Sequence, residues 1–574
     1  MVDKKIVADI LEGIGTLLEL KGENRFRCLA YYNASRAIDA LPDDVQQRVA
    51  AGTLTDIKGI GEAIAEKITE LVTTGHLKYY EQLKSSLPAG LMGLLDVQGL
   101  GPKRVKRLYD KLKITNVQEL AVACKANRLL KLAGFGEKMQ ENILKGISYL
   151  SRHQDQHLYP EALAAAMVLV EELKRNRAVR TIELGGSLRR KKELIRDVDL
   201  LVASLTPQPV MEQFTSLKAV ERVLAHGETK SSVLLASGIQ CDLRVVTERE
   251  FPYALHYFTG SQEHNTAVRA RAKRRGMKLS EYGLFRGERL LACQDEAELF
   301  KKLGLSYIPP ELRENMGEIE AAEEDKLPTL ITEDDIRGVF HTHTTYSDGV
   351  ATIEQMVKAA IAEGLDYIGL SDHSQTAHYA HGMKPEAVRR QHREIDEIAK
   401  HYPTIRIFKG AEVDILPDGR LDYSEDILRT FDFVIAAIHS GFQMTEAAMT
   451  KRILTALQHP QVTFLAHPTG RLLLSREPYA VNLEAVLREA AKRGVIVEIN
   501  ANPHRLDLDW RMIKHAKELG VKLSINPDAH RTDGISDVRY GVGIARKGWL
   551  ERGDVLNTMS ATAVASVLTK RHGR

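Results

Sequence analysis

Three aspartates form the first set of residues that could do chemistry. Asp197 and Asp199 alternate along an apolar segment, so both carboxylates would project from one face of a strand. Asp242 lies in a second apolar segment, CDLRVV, and pairing of the two strands would bring the three carboxylates together. Three carboxylates can hold two divalent cations about 3.5–4 Å apart for an in-line displacement at phosphorus. Because an isolated Asp-x-Asp pair is more often a solvated strand face, the neighbouring residues decide its meaning.

A glycine turn, Gly185-Gly186-Ser187, precedes the first two aspartates. It supplies backbone N–H groups and a hydroxyl, and a run of four cationic residues follows at positions 189–192. A glycine turn beside bound cations can hold a triphosphate. The turn and the aspartates together predict a nucleotidyltransferase.

Histidines and carboxylates form a second set of candidate metal ligands beyond Gly338. Each follows an apolar, strand-like segment, and helical segments lie between the strands. This alternation is typical of a β/α barrel, whose active site lies at the carboxyl ends of the strands. Ligands without cysteine suit Zn²⁺, Mn²⁺ or Fe²⁺. Nine residues are enough for three metals if Glu412 bridges two of them: His341, His343, Asp348, His373, Glu412, His439, His467, Asp528 and His530.

Metals in this second set would generate hydroxide near neutral pH and polarise a phosphoryl oxygen, which implies phosphoester hydrolysis. Arg471 and Arg505 lie on predicted loops beside the cluster and are candidate phosphate clamps. The alternative for both arginines is a solvated loop position.

Two glycine pairs near the N-terminus predict contacts with DNA. Gly59 and Gly61, and again Gly99 and Gly101, flank one apolar residue just before a helix, which is the helix-hairpin-helix pattern. Such glycines let backbone N–H groups reach a phosphate at a helix N-terminus. Contacts of this kind position a duplex without reading its sequence. A weaker copy occurs at residues 134–136.

The segment YFTGSQEHN lies between the aspartates and the histidines. Tyr257, Phe258 and Gly260 could form a turn beneath a sugar or a base. Asn265 and Arg269 are one helical turn apart, so they would share one helix face and contact the nucleotide and the template. The alternative is a basic surface helix.

Composition sets broad limits. A chain of 574 residues holds several domains, and a net charge of +3 is too small to indicate a nucleic-acid partner by itself. The four cysteines share no metal-ligand spacing and are predicted to be reduced, buried thiols.

No apolar run approaches the length of a membrane span and no signal-peptide pattern is present, so we expect a cytoplasmic, nucleoid-associated protein. The acidic stretch 305–336 predicts a linker.

These motifs support a family resemblance. GGSLRRKKELIRDVD, CDLRVV and YFTGSQEHN resemble the palm of family X DNA polymerases. HTHTTYSDG, SDHS, GAEVD, AAIHS, AHPTG and NPDAH resemble the PHP (polymerase and histidinol phosphatase) domain. Their order behind the hairpin motifs is similar to that of bacterial family X polymerases with a PHP domain, over nearly the whole chain.

The resemblance implies a multidomain α+β and α/β fold. Helical helix-hairpin-helix domains would come first, then a nucleotidyltransferase palm, then a PHP domain folded as a distorted (β/α)7 barrel. The expected domains are 1–88 and 89–150 (helix-hairpin-helix), 151–230 and 231–315 (palm with the nucleotide- and template-binding subdomain), 316–336 (linker) and 337–574 (PHP).

It also implies residue roles in the polymerase. Asp197, Asp199 and Asp242 would bind Mg²⁺ or Mn²⁺. The triphosphate would contact Gly186, Ser187 and Arg190; the sugar pocket would contain Tyr257, Phe258 and Gly260; Asn265 would face the nascent base pair and Arg269 the template.

In the PHP domain the resemblance implies three ions, Zn²⁺, Mn²⁺ or both. The first would be bound by His341, His343, Glu412 and Asp528, the second by Glu412, His439 and His467, and the third by Asp348, His373 and His530. The implied function is gap-filling, template-directed DNA synthesis in repair with a metal-dependent 3′–5′ exonuclease or 3′-end phosphoesterase. Processing of abasic sites or 3′-phosphates is implied as well. The expected partners are gapped or primed DNA and dNTPs, with no membrane, and the expected state is a monomer.

The N-terminal domain departs from the family pattern. Lys67 aligns with the Schiff-base lysine of members with deoxyribose-phosphate lyase activity, but a supporting basic position is Ala63. Two further lyase-pocket positions are Tyr31 and Ser35, so lyase activity is not expected to be strong.

Other classes of function remain open. The PHP barrel could be a metal-stabilised scaffold for the polymerase, or the palm a DNA clamp for a nuclease. A small-molecule phosphatase fused to a template-independent nucleotidyltransferase is a further alternative, which the hairpin motifs disfavour.

Overall fold

The computed structural model describes residues 2, 4–39, 41, 44–97 and 99–571. They divide into two compact units. The first is 1–154 with the short segments 348–356 and 475–477, and the second is the remainder of the chain. No helix in the described ranges is long and apolar enough to cross a membrane. All four cysteines are free and buried, as predicted.

The first unit is helical. Apolar residues at three- and four-residue steps along the first helix, such as Val7, Leu11, Ile14 and Leu18, are buried against the second helix and the first hairpin. A separate core lies beneath the later hairpins. The helices are α1 (Lys4–Lys21), α2 (Arg25–Asp39), α3 (Val45–Ala51), α4 (Glu62–Thr74), α5 (Lys78–Ser85), α6 (Pro102–Leu112), α7 (Val117–Lys125) and α8 (Glu137–His153). The domain boundary expected at residue 150 is therefore wrong, since it falls inside α8.

The second unit begins with a five-stranded sheet. In spatial order its strands are β2 (Thr181–Leu184), β4 (Asp197–Ala203), β7 (Gln240–Val246), β6 (Lys230–Leu235) and β5 (Val220–His226), and β4 and β7 are parallel. Helices cover one face, and alternate strand residues such as Val198, Leu200 and Leu243 fill the core beneath them. The elements are β1 (His157–Leu158), α9 (Tyr159–Lys174), β2 (Thr181–Leu184), α10 (Gly186–Arg189), β3 (Leu194–Ile195), β4 (Asp197–Ala203), α11 (Pro207–Ser216), β5 (Val220–His226), β6 (Lys230–Leu235) and β7 (Gln240–Val246).

A smaller α+β subdomain follows. Its elements are α12 (Phe251–Thr259), α13 (Gln262–Arg274), β8 (Lys278–Ser280), β9 (Gly283–Arg286), β10 (Arg289–Leu290), α14 (Glu296–Lys302) and α15 (Glu318–Glu323). The linker predicted at 316–336 is wrong as a description of this segment. Ile319 and Ala322 belong to the core of the subdomain, and Glu318 is buried and pairs with His264. Acidic composition predicted solvent exposure, but here the charge has a buried partner.

The C-terminal part is a seven-stranded parallel sheet with the strands in chain order. The N–H of His343 donates to the carbonyl of Ala529, and the N–H of Ala529 donates to the carbonyl of His341. These bonds connect the first strand to the segment after the last, so the barrel is nearly closed and the predicted fold is confirmed. Its elements are β11 (Gly338–Thr342), α16 (Ile353–Ala362), β12 (Tyr367–Leu370), α17 (Pro385–His401), β13 (Arg406–Asp414), α18 (Glu425–Leu428), β14 (Phe433–Ala437), α19 (Glu446–Leu457), β15 (Val462–Leu465), α20 (Leu483–Arg493), β16 (Ile496–Asn500), α21 (Trp510–Glu518), β17 (Leu523–Asn526), α22 (Val538–Lys547) and α23 (Ala561–Arg571).

Candidate active sites and helix-hairpin-helix motifs

The three aspartates come together on neighbouring strands. Asp197 and Asp199 begin β4 and lie on one face, and Asp199 is the direct cross-strand partner of Asp242 in β7. The flanking residues Val198, Cys241 and Leu243 are buried on the opposite face, which fixes the register. The sequence therefore folds the three carboxylates to one place because the apolar residues alternate with them.

The aspartates repel one another. Burial, together with the charges of Asp197 and Asp242, raises the pKa of Asp199 to about 7. Two neighbours that the sequence did not indicate contact Asp242. Lys230 Nζ lies 3.2 Å from its carboxylate and partly balances the negative charge, and Gln240 donates a hydrogen bond to it at 3.0 Å. Lys230 lies near Asp242 because β6 pairs with β7, and no short sequence motif indicates that contact.

The glycine turn packs directly against Asp199. Gly186 starts the short helix α10 with a φ of 59°, and a Cβ placed on it would lie 2.1 Å from Asp199 Oδ2. The backbone N–H of Gly185 donates to the carbonyl of Asp199 at 2.8 Å. Only glycine combines this conformation with this close approach. The turn and the carboxylates are thus one site, with the N–H groups of Gly186 and Ser187 at the start of the helix.

Arg190 is mostly buried behind the turn. Its Nε is 3.0 Å from Glu314, and its Nη1 donates to the carbonyl of Thr259, next to Gly260. These two contacts fix the plane of the guanidinium group. Its assignment to the triphosphate stays a prediction.

The expected nucleotide-binding segment differs from the prediction in one respect. Tyr257 and Phe258 lie in the last turn of α12, and the turn itself begins at Gly260, whose φ is 72°. The predicted turn is therefore wrong for the two aromatic residues, which are held by the helix. Asn265 and Arg269 lie on α13 as predicted, and Asn265 donates to the carbonyl of Tyr257 at 2.7 Å. Arg269 is exposed.

The nine candidate ligands of the barrel also come together. Their donor atoms form four overlapping groups in the described chain, each with all atoms within 4.8 Å of one another. The groups are His343, Asp348, His373 and His530; His341, Glu412 and His467; His341, His343 and Asp528; and His373, Glu412 and His439. These groups differ from the three ligand sets expected from the sequence. His373 also lies beside Glu412, and His343 also lies beside His530, although each pair was expected to be divided between two ions. The assignment of each residue to one ion stays a prediction.

Glu412 is at the centre of this cluster. Its carboxylate oxygens lie between 2.9 and 3.7 Å from ring nitrogens of five histidines: His341, His343, His373, His439 and His467. Oε2 of Glu412 and Nε2 of His341 are buried and have no hydrogen-bond partner in the described part of the protein. Buried polar atoms of this kind need a partner, and convergent imidazole and carboxylate groups suit a divalent cation.

The protonation of the histidines agrees with metal binding. Burial, together with His530 and His373, lowers the pKa of His343 to about 4, and burial with Arg505 does the same for His467. Both imidazoles are therefore neutral near pH 7, which is the form that binds metals. His439 differs: although burial opposes the shift, Glu412 and Asp414 raise its pKa to about 9. The residues present fit a bound metal cluster.

Outer carboxylates orient the histidines, and the sequence interpretation missed them. Glu498, in β16, lies 2.6 Å from Nδ1 of His341, and Asp414 lies 2.6 Å from Nδ1 of His439. Second partners of this kind fix the tautomer of a ligand histidine. A charged residue inside the buried segment IVEIN was the available signal for Glu498. In addition, His341, His467 and Asp528 have φ values of 57°, 25° and 52°, a strained conformation that is common at ligand sites.

The two arginines near the cluster have different environments. Arg505 is 3.2 Å from Asp528 and faces the ligands. All three nitrogens of the Arg471 guanidinium group are already engaged, with the carbonyls of Arg505 and Leu506 and with Asp509. The phosphate-clamp prediction for Arg471 is therefore not supported, since its donors hold the loop that carries Arg505.

The hairpins of the first unit share one geometry. Gly59 and Gly99 have φ values of 97° and 88°, and Gly61 and Gly101 are the N-caps of α4 and α6. A Cβ on any of these four glycines would meet no atom within 4 Å, so the helix N-termini are open. The weaker copy has the same geometry, with a φ of 84° at Gly134 and α8 starting after Gly136.

A full-length relative decides the family. The chain is 38% identical over 571 residues to the "DNA polymerase/3'-5' exonuclease PolX" of Bacillus subtilis (strain 168), a match that covers 99% of each chain. The chain belongs to the bacterial family X DNA polymerases that carry a PHP domain. It is also 25% identical over 342 residues to DNA polymerase lambda of Rattus norvegicus, covering 54% of this chain and 56% of that one. A probable phosphatase of Thermoanaerobacter sp. (strain X514) is 28% identical over 229 residues, covering 38% of this chain and 89% of that protein.

Family models match the parts in the same order. A helix-hairpin-helix domain matches 3–77, a SAM-like helix-hairpin-helix tandem 91–148, a DNA polymerase beta thumb 254–314 and a PHP domain 340–502. The thumb match covers most of the small α+β subdomain, including the segment from Tyr257 to Arg269. The expectation that YFTGSQEHN belongs to the palm is therefore wrong, since the segment lies in the thumb match. The predicted order of hairpins, polymerase and PHP domain is confirmed.

Lys67, at the lyase position of this family X polymerase, contacts residues of its own unit. Lys67 Nζ donates to the carbonyl of Ala63 at 2.8 Å and lies 5.0 Å from the centre of the Tyr79 ring. Ser35 donates to the carbonyl of Ala8 at 2.8 Å and is buried. The role of Lys67 stays a prediction, and Ser35 serves the packing of two helices.

Proposed function

We propose that this family X polymerase fills short gaps in DNA by template-directed synthesis, and that its PHP domain removes nucleotides or blocking groups from 3′ ends. One observation carries the proposal: a single chain contains both the aspartate triad at the glycine turn and the nine-residue ligand cluster of the barrel. DNA and dNTPs are the proposed partners, and the open hairpins support contact with the DNA backbone.

The metals would be held by the two ligand sets. Asp197, Asp199 and Asp242 suit Mg²⁺ or Mn²⁺, and the imidazole-rich cluster suits Zn²⁺, Mn²⁺ or both. When bound, such cations neutralise phosphoryl charge and supply a nucleophile near neutral pH.

Residues of the chain would bind and position the substrates in both sites. The N–H groups of Gly186 and Ser187 start a helix and are free of intrahelical acceptors, so they can donate to phosphate oxygens. Phe258 and Asn265 are held at the site by α12 and α13, where they can position the sugar and the base pair. Arg505, beside Asp528, can bind the phosphate that the PHP domain hydrolyses. Positioning and electrostatics carry catalysis in both sites.

Separate variants test the two activities. With 5′-labelled primer on gapped DNA, Asp197→Ala should abolish extension and leave shortening intact. His341→Ala combined with His343→Ala should do the reverse. His459→Ala is a matched control, since His459 pairs with Glu425 outside the cluster. Substrates ending in a 3′-phosphate, or containing an abasic analogue, test the wider phosphoesterase activity.

The same experiment tests the alternative that the PHP domain is only a scaffold. If the double histidine variant shortens DNA as fast as the wild type, the PHP domain is not the exonuclease and serves as a support for the polymerase. If Asp197→Ala still extends the primer, the assignment of the aspartate triad is wrong.

A further inference from the structure

A buried lysine of the PHP domain reaches the polymerase site. Lys547, the last residue of α22, is 1% exposed. Its Nζ lies 2.5 Å from Oε1 of Glu314 and 3.1 Å from the backbone carbonyl of Arg190. A buried ammonium group is costly unless it is paired and hydrogen-bonded, so these contacts account for its position.

Glu314 connects this lysine to the guanidinium group behind the glycine turn. Oε1 of Glu314 is shared, since it also lies 3.0 Å from Nε of Arg190. The side chain of Glu314 is 7% exposed, and its other oxygen, Oε2, lies 3.8 Å from Nζ of Lys192. One carboxylate thus holds a lysine of the PHP domain and an arginine of the palm. With Nη1 of Arg190 donating to Thr259, no residue in the described ranges accepts from its Nη2, which leaves that nitrogen for a ligand.

A second contact holds the same palm loop. Glu193 accepts a hydrogen bond from Trp510 Nε1 and pairs with Arg511, both at 3.0 Å, and both belong to α21. Lys547 lies 4.5 Å from the centre of the Trp510 ring. The loop between the glycine turn and β3 is therefore held at Arg190 and at Glu193 by α22 and α21.

We propose that Lys547 is a positioning residue for DNA synthesis: through Glu314 it holds the Arg190 guanidinium group in the orientation that binds the incoming triphosphate. This inference rests on the proposed role of Arg190. A fixed guanidinium fork loses little freedom when it binds a phosphate, so loosening it weakens nucleotide binding more than it slows chemistry.

The test is the steady-state kinetics of single-nucleotide gap filling by the full chain. Lys547→Met keeps the length of the side chain and removes the charge. It should raise the KM for dNTP about tenfold, as expected for loss of a charge-assisted contact, with kcat changed far less. Glu314→Gln should shift KM in the same direction. Shortening of primer by the PHP domain should keep its wild-type rate in both variants, which also shows that they are folded.

Lys514→Met is the matched control. Lys514 also joins the PHP domain to the preceding segment, through the carbonyl of Met316 at 2.9 Å, but it contacts neither Glu314 nor Arg190. Its KM for dNTP should stay at the wild-type value. An equal rise in both lysine variants would mean that domain docking, and not positioning of Arg190, sets KM, and would overturn the inference.

Arg190→Gln separates this inference from the proposal beneath it. If Arg190→Gln leaves the KM for dNTP unchanged, the assigned role of Arg190 fails. If it raises KM while Lys547→Met does not, only the inference about Lys547 fails. If both act through one contact, Lys547→Met should add nothing in the Arg190→Gln background, and additive effects would contradict the inference.

Discussion

Nδ1 of His341 lies 2.6 Å from Oε1 of Glu498, and neither side chain is exposed. Nε2 of the same imidazole faces Glu412 and Asp528, at 3.3 and 3.5 Å. Glu498 therefore orients the ring so that one nitrogen points into the ligand cluster. A carboxylate in this position raises the basicity of a ligand histidine and holds its tautomer.

We expect Glu498→Gln to weaken metal retention and 3′-end shortening by about 10–100-fold, while primer extension stays at the wild-type rate. The substitution replaces an acceptor oxygen by an N–H donor. The amides of Asn500 and Asn526 donate to Glu498, so the new amide group would face donors on both sides. Metal content after dialysis and the rate of primer shortening measure the effect.

Glu489→Gln is the control for this substitution. Glu489 lies in α20, before β16, and forms a surface ion pair with Arg493 at 2.8 Å. A surface pair of this kind contributes little, so metal content and both activities should be unchanged. Full metal retention by Glu498→Gln would show that Glu498 does not support the cluster.

The contact between Gly186 and Asp199 gives a second prediction. Gly186→Ala places a Cβ 2.1 Å from Asp199 Oδ2, at a φ of 59°, so the carboxylate has to move. Primer extension should fall about a hundredfold or more in kcat/KM, because the displaced groups are those that hold cations and phosphate. The PHP activity should not change.

A second glycine separates the effect of backbone strain from the effect of displacing the Asp199 carboxylate. Gly238→Ala, between β6 and β7, also requires a positive φ of 81°, but no atom lies within 4 Å of the added Cβ. It should cost about 1 kcal/mol of stability and leave extension intact. Equal losses of activity in the two variants would rule out the specific contact with Asp199.

The open hairpins give a third prediction. Gly61 has a φ of −87° and free space around its Cβ position, so Gly61→Ala should leave the thermal unfolding midpoint unchanged. The methyl group would nevertheless stand where a phosphate approaches the N-terminus of α4. We expect binding to gapped duplex DNA to weaken about tenfold, the loss of one charge-assisted hydrogen bond.

Gly93→Ala provides the comparison for this measurement. Gly93 also has free space around its Cβ position, but it lies in the short helix Met92–Leu94 and not in any of the three glycine turns. Titration of labelled DNA with each variant should show weaker binding for Gly61→Ala alone. If the two variants bind DNA equally tightly, the first hairpin does not contact the phosphate backbone.

The aspartate triad and the barrel ligands could be predicted because their signal is local. Asp199 and Asp242 alternate with buried apolar residues, so each strand determines which face its carboxylates occupy. Histidines at successive strand ends meet because parallel strands of a barrel share one end. The glycine turn beside Asp199 could be predicted for the same reason.

Other residues depend on contacts between distant segments. Glu498 and Lys230 are single charged residues in strands, and only the register of neighbouring strands brings them to the sites. Glu318 looked like part of an acidic linker because its buried partner, His264, is 54 positions earlier in the chain. Arg471 looked like a phosphate ligand, but its guanidinium group contacts a loop more than 30 positions later in the chain. The residues next to Arg471 in the sequence do not indicate that contact.

Lys547 is the most distant of these residues, 233 positions from Glu314, and it gives the last prediction. Burial lowers the pKa of Lys547 to about 8, although Glu314 and Glu193 oppose the shift and Arg190 adds to it. Above pH 8 the lysine becomes neutral, and Glu314 loses one of the two cations that contact its Oε1. The KM for dNTP should therefore rise between pH 7 and pH 9 in the wild type.

Lys547→Met should abolish that pH dependence, because its KM is already raised and no proton is lost. The titration of Lys547 does not itself destabilise the fold over this pH range. The pKa of this lysine is lower in the folded protein than its ordinary value of 10.5, so between pH 8 and 10.5 the unfolded chain binds the extra proton. The contribution of Lys547 to the free energy of unfolding therefore increases with pH in that window, while nucleotide binding weakens. A KM that rises equally in the wild type and in Lys547→Met would assign the titration to another group.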